Sequence, residues 1–66
     1  MKHTVVIFSK ENKAIYGKAF RTAHEAYDEY LSKIAISKNI LGAGDTWKVV
    51  RYRDGKMMAM HECIGE

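Results

Sequence analysis

The sequence lacks the features that mark secreted and membrane proteins. It has no proline and a single cysteine among its 66 residues, so no internal disulfide can form and a disulfide-stapled secreted fold is excluded. No stretch approaches the roughly 20 apolar residues that span a bilayer, and no signal-peptide pattern is present. We therefore expect a cytoplasmic protein that does not enter a membrane.

The usual signatures of catalysis and cofactor binding are also missing. There is no GxSxG segment, phosphate-binding loop or dinucleotide fingerprint, and no pair of carboxylates stands out as an acid–base couple. His61 and Cys63 can share a strand face, but a structural zinc needs four ligands, and no CxxC or HxxxH spacing supplies the others. A buried apolar role is the simpler interpretation of Cys63. We predict a protein that is not an enzyme and holds no metal or cofactor.

What is present is the composition of a folded domain. Apolar residues make up 47% and charged residues 29% of the chain, which is typical of a globular protein and too apolar for a disordered one. The length predicts one domain over residues 1–66, near the lower limit for a single apolar core. The net charge of +3 permits a polyanionic partner without requiring one.

The first third of the chain predicts two paired strands. The β-branched and aromatic run at Val5–Phe8 indicates a strand over about residues 3–9. A second strand is predicted over residues 14–20 and forms a hairpin with the first. Within it, Gly17 is expected to mark a bulge or a place where another group approaches the backbone.

A helix follows the two strands. Thr22 and Glu25 have the spacing of a capping box, and the helix they begin is predicted to run to about Lys38. It is expected to close on a left-handed residue at Asn39 or Gly42. The residues expected on its buried stripe recur at spacings of three and four: Ala23, Ala26, Tyr27, Tyr30, Leu31, Ile34 and Ala35.

The last third of the chain predicts a β-hairpin that turns at Asp54-Gly55. A two-residue type I′ turn suits this pair because both positions need positive φ, and it fixes a register in which Arg53 faces Lys56 and Trp47 faces Glu62. One face of the hairpin would carry Lys48, Val50, Tyr52, Met57, Ala59, His61 and Cys63. The other would carry Trp47, Val49, Arg51, Arg53, Lys56, Met58, Met60, Glu62 and Ile64. We favour burial of the larger tryptophan face, although its arginines argue against it.

The order strand, strand, helix, strand, strand predicts an α+β fold, a two-layer ββαββ arrangement with one amphipathic helix on one face of a mainly antiparallel sheet. One helix covers one face, yet neither face of the second hairpin is polar. We therefore expect a protein-interaction module that binds another protein, or itself as a homodimer, through the open sheet face and the hairpin tip. The candidate partner-binding residues are Trp47, Arg51, Tyr52, Arg53, Lys56, Met58 and Met60.

A single-stranded nucleic acid is the alternative partner. Cations neutralise phosphates and exposed aromatic rings stack on bases, and the hairpin brings both together. The residues of this alternative are Trp47, Lys48, Arg51, Tyr52, Arg53 and Lys56. Against it, the acidic residues Asp54 and Glu62 lie in the same patch, no RNA-binding signature is present, and cations at a hairpin tip also keep an edge soluble.

Three features of the layout occur together: a short hairpin, a capped helix beginning with residues 22–26, and a late strand at residues 48–51 that leads into a basic tip. In this layout the chain resembles small phage-encoded proteins that bind and redirect or inhibit host enzymes. The resemblance implies a binder that occludes its partner, such as a host polymerase or a defence nuclease. It transfers no site residue.

Overall fold

The computed structural model describes residues 2–66, which form four strands and one helix. In chain order they are β1 (His3–Phe8), β2 (Ala14–Phe20), α1 (Ala23–Ile40), β3 (Thr46–Arg53) and β4 (Lys56–Ile64). The strands make one sheet in the order β2-β1-β3-β4, and every neighbouring pair is antiparallel. The helix packs on one side of this sheet, which confirms the predicted α+β fold.

The first hairpin forms as predicted, but its irregularity lies at a different residue. β1 and β2 are paired around a turn in which Asn12 has a φ of 62°. The pairing shifts beside Phe8, where Ile15 is the extra residue of a β-bulge. Gly17 instead pairs regularly with Val6, and a Cβ built on it would meet nothing within 4 Å. The expectation of a bulge or a close approach at Gly17 was therefore wrong.

The helix begins at the predicted N-cap, but its C-terminal cap differs from the prediction. The Thr22 hydroxyl accepts a hydrogen bond from the Glu25 backbone N–H at 3.2 Å, as a capping residue should. The Glu25 carboxylate accepts from that same hydroxyl at 3.0 Å rather than from the Thr22 backbone. At the other end the cap is Leu41 in an extended conformation. The left-handed cap expected at Asn39 or Gly42 was wrong, since neither has a positive φ.

The buried side of α1 is narrower than the apolar stripe in the sequence. Its buried residues are Ala26, Tyr30 and Ser37, and Ile34 is partly buried against the core. The buried Ser37 hydroxyl donates a hydrogen bond to the backbone carbonyl of Lys33, one helical turn earlier, at 2.7 Å. Four residues expected in the stripe are exposed: Ala23, Tyr27, Leu31 and Ala35. Their prediction was wrong because a single helix lying on a sheet buries only the side chains directly beneath it.

The second hairpin turns where the sequence predicts. Asp54 and Gly55 have φ values of 51° and 79°, so both central positions of the loop have the positive φ of a type I′ turn. The two residue pairs nearest the turn also match the predicted register. Local sequence therefore determines this end of the hairpin.

Beyond those two pairs the predicted register was wrong. Arg51 pairs with Ala59 instead of Met58, so Met58 is the extra residue of a second β-bulge. Every later pair is displaced by one residue, and Trp47 lies opposite Cys63 instead of Glu62. Because side chains alternate along a strand, this displacement exchanges the two faces of β4.

The core lies between the helix and one side of the sheet, here called the helix side. Its buried residues are Val5, Ile7, Ala26, Tyr30, Val49 and Cys63. Trp47 packs against this cluster, so the tryptophan side of β3 is buried, as favoured from sequence. On β4 the bulge brings Ala59, His61 and Cys63 to the helix side. Met60, which was predicted on the tryptophan face, lies on the opposite side of the sheet.

Candidate interaction surface

The sheet has a second face that α1 does not cover, here called the open face. Its residues alternate along the strands with the core residues Val5, Ile7 and Val49. Three rows of paired residues cross it from β2 to β4: Ala19, Thr4, Tyr52 and Met57; Gly17, Val6, Val50 and Met60; Ala14, Phe8, Lys48 and Glu62. The bulge in β4 inserts Met58 between Met57 and Ala59, and alternation along the strand adds Ile64 to the open face.

The open face is apolar and much of it is exposed. Met57, Met60 and Ile64 each have at least half of their surface in solvent. The bulge at Met58 is what brings Met57 and Met60 to one side, because a regular strand would place these two residues on opposite faces. Val50 is only 4% exposed although no helix covers it, and it stands outside the core cluster.

Charge on the open face is balanced. Its rows contain one cation, Lys48, and one anion, Glu62, which are directly opposite each other on β3 and β4. The Lys48 ammonium also donates to the side-chain oxygen of Asn12 at 3.4 Å. A balanced, apolar surface suits a protein partner better than a polyanion, which favours concentrated positive charge.

The structure divides the predicted partner-binding residues between the two sides of the sheet. Two of them, Tyr52 and Met60, lie on the open face, and Met58 is the extra residue of the bulge. The other four lie on the helix side: Trp47, Arg51, Arg53 and Lys56. Of these, Arg51 places its guanidinium 5.7 Å from the centre of the Tyr27 ring. The seven residues therefore do not form one surface.

The residues of the nucleic-acid alternative are divided in the same way. Lys48 and Tyr52 lie on the open face, whereas Trp47, Arg51, Arg53 and Lys56 lie on the helix side. Trp47, the ring expected to stack on a base, is partly buried against the core. A single strand following one face would meet only part of this set.

Sequence reasoning missed the half of the open face that the first hairpin supplies. Val6, Phe8 and Gly17 belong to it because β1 lies between β2 and β3. The pairing of β1 with β3 brings together residues that are forty or more positions apart in the chain. Val5, Val6 and Ile7 are consecutive apolar residues whose side chains point to alternate faces, so both faces of β1 are apolar. This was the signal in the sequence that β1 contributes to the open face.

No protein-family model, curated protein or solved structure matches the chain. Its function is therefore inferred from its own surfaces. Over residues 2–66 the helix is not long and apolar enough to cross a membrane. Within the same residues, no three His, Cys, Asp or Glu side chains are grouped so that they could hold a metal ion.

Cys63 lies in the core beside a cleft at the end of the helix. Its sulfur is 3.9 Å from the Ile34 carbonyl oxygen, and burial raises the pKa of the thiol. The cleft has a volume of about 530 Å³. It is lined by Lys38, Asn39, Leu41, Glu62, Cys63, Ile64 and Glu66. A buried thiol whose pKa is raised stays protonated at neutral pH and has the character of a core residue.

Because of the groups that join α1 to the sheet, we expect the folded protein to lose stability at alkaline pH. The Tyr16 hydroxyl donates to the Glu29 carboxylate, and burial together with that bond raises the pKa of Tyr16 to about 12. Burial also raises the pKa of Tyr30 and of Cys63. The unfolded chain loses these protons at lower pH than the folded chain does, so the free energy of unfolding must fall as pH rises.

Urea denaturation at a series of pH values measures this dependence. We expect a constant contribution from these groups below about pH 8, one unit under the ordinary thiol pKa of 9.0, followed by a progressive decrease up to about pH 12. Tyr16→Phe should lower stability at pH 7 by about 1 kcal/mol through the lost hydrogen bond, and should make the alkaline decrease smaller. A decrease of unchanged size in this variant would contradict the role assigned to Tyr16.

Proposed function

We propose that the protein is a non-enzymatic protein-interaction module that binds its partner through the open face. The observation that supports this is the grouping of Met57, Met60 and Ile64, all at least half exposed, on one side of the sheet. Large exposed apolar patches mark binding sites on small proteins. Methionine side chains also adapt to irregular apolar partners.

The hairpin tip adds a charged rim to this surface. Arg53 and Lys56 are paired beside the turn on the helix side and are both exposed, so they can contact an acidic border on a partner that extends from the open face around the tip. Rim charges of this kind direct association and orientation more than they add affinity. We propose that the protein acts by covering its partner's surface, as the phage-type inhibitors it resembles in layout do.

Single-stranded nucleic acid is the weaker candidate. It requires Trp47 to stack on a base while the ring is partly buried against the core. It also requires cations from both sides of the sheet to follow one strand. The balanced charge of the open face supports a protein partner instead.

Photo-crosslinking tests the proposed surface. A photoreactive amino acid is introduced at Met60 on the open face and, as a matched control, at Ser32, which is exposed on α1. In the cells that make the protein, we expect a covalent protein adduct from position 60 and none from position 32. No adduct from position 60, or equal adducts from both positions, would contradict binding through the open face.

A further inference from the structure

We infer that the open face binds a second copy of this chain, with the two sheets packed face to face about a two-fold axis parallel to the strands. This inference rests on the proposed function and names its partner. A two-fold contact requires one surface that is complementary to itself. The shape, charge and size of the open face meet that requirement.

The open face rises in height from one edge of the sheet to the other. At the paired positions of β2 it carries the small side chains of Ala14, Gly17 and Ala19. Gly17 and Ala19 lie beyond the bulge residue Ile15 and form a trough. On β4 the open face carries the long side chains of Met57, Met60 and Glu62, and these form a ridge. The trough is open at its centre, because a Cβ built on Gly17 would meet nothing within 4 Å.

A two-fold axis along the strands, above the boundary of β1 and β3, places the ridge of one copy in the trough of the other. It sets β4 over the second copy's β2, and β3 over its β1. Row by row, Met60 then faces Gly17 of the second copy and Val50 faces Val6. The sheets can therefore keep an even spacing near the roughly 10 Å of packed sheets. An axis perpendicular to the strands would place ridge on ridge.

Within the three rows of the open face, the same operation brings no like charges together. Glu62 of one copy comes to lie over Ala14 of the other, next to the cation Lys13. Lys48 comes to lie over the ring of Phe8, an arrangement in which a cation is attracted to an aromatic face. Charge at this contact is therefore complementary to itself.

The size of the face is also sufficient. The molecule measures 34 × 20 × 15 Å, and a sheet of four strands, about 4.8 Å apart and six to nine residues long, covers roughly 500 Å² of it. Two such faces together cover roughly 1,000 Å², about the lower limit of a specific interface. A chain of 66 residues also gains from a second apolar layer, because a single core of this size is marginal.

Two substitutions that exchange the small side chain of the trough with the large one of the ridge test directly whether a second copy binds there. Gly17→Met fills the trough at a position that is free in the single copy, so the fold should tolerate it. Met60→Ala lowers the ridge that would collide with the new side chain. The parent, both single variants and the double variant are compared by sedimentation equilibrium over a range of concentrations, with urea denaturation as the check on folding.

We expect the parent to sediment at twice the chain mass of 7.6 kDa. Gly17→Met should fold and raise the dissociation constant at least about 30-fold, which corresponds to the loss of a hot-spot contact. The double variant should recover most of the association, because the two substitutions together exchange the heights of positions 17 and 60. A parent that stays at 7.6 kDa, a dimeric Gly17→Met, or a double variant without recovery would each overturn the inference.

The experiments distinguish failure of the inference that the partner is a second copy from failure of the proposed function. If the parent is monomeric and a photoadduct from position 60 contains a chain of another mass, the open face binds a different protein and only this inference is overturned. If no adduct forms from position 60, both are overturned.

Discussion

Replacing Tyr30 with alanine is expected to lower the free energy of unfolding by about 3–5 kcal/mol, as large aromatic truncations in cores do. Tyr30 is 8% exposed and is the largest side chain in the buried core cluster. It comes from the one helix that covers the sheet, so no neighbouring element can move in to fill the space. In so small a domain this loss is comparable to the whole stability, and a substantial unfolded fraction should appear without denaturant.

Tyr27→Ala is the matched control because it removes the same side chain from an exposed position on the same helix. Tyr27 is 47% exposed, and the contact identified for its ring is with the guanidinium of Arg51. Loss of such an exposed cation–π contact should cost about 1 kcal/mol or less. Urea denaturation followed by circular dichroism measures both variants. Equal losses would mean that α1 presents a different side to the sheet.

Much of the fold could be predicted because short sequence signals specify it. The capping hydroxyl of Thr22 and the Asp54-Gly55 turn each act within four residues, and both form as predicted. The order of apolar strands around one helix was likewise enough for the α+β arrangement. These features depend on neighbours in the chain rather than on the packing of distant segments.

The bulge in β4 could not be derived from the turn alone. Counting outward from Asp54-Gly55 in a regular register puts Val49 and Cys63 on opposite faces, yet both are buried in one core. An odd number of residues must therefore be inserted between the turn and Cys63, and Met58 is that residue. Two strong burial candidates on opposite predicted faces were the signal of a bulge, but the local pattern does not say where it lies.

The candidate surface was predicted in part for the same reason. Tyr52 and Met60 were identified from the second hairpin and lie on the open face. Gly17 was not, because its importance appears only when β1 brings it into one row with Met60. Strand order is a property of the whole chain, and a one-residue shift in register changes which residues share a face.

Among single substitutions that add a charge to the open face, Met60→Glu is expected to weaken association the most. Met60 lies in the central row of the open face and is 50% exposed in the single copy, so the substitution should leave the fold intact. In a two-fold contact each copy would bury one new carboxylate without a partner, which is strongly unfavourable. We expect the dissociation constant to rise at least about 30-fold.

The measurement that tests the open face most directly compares this variant with Leu31→Glu. Leu31 is 46% exposed on α1, so the two substitutions add the same charge at similarly exposed apolar residues on opposite sides of the molecule. Sedimentation equilibrium should find the Leu31 variant at twice 7.6 kDa, like the parent, and the Met60 variant at 7.6 kDa. A dimeric Met60 variant, or a monomeric Leu31 variant, would contradict association through the open face.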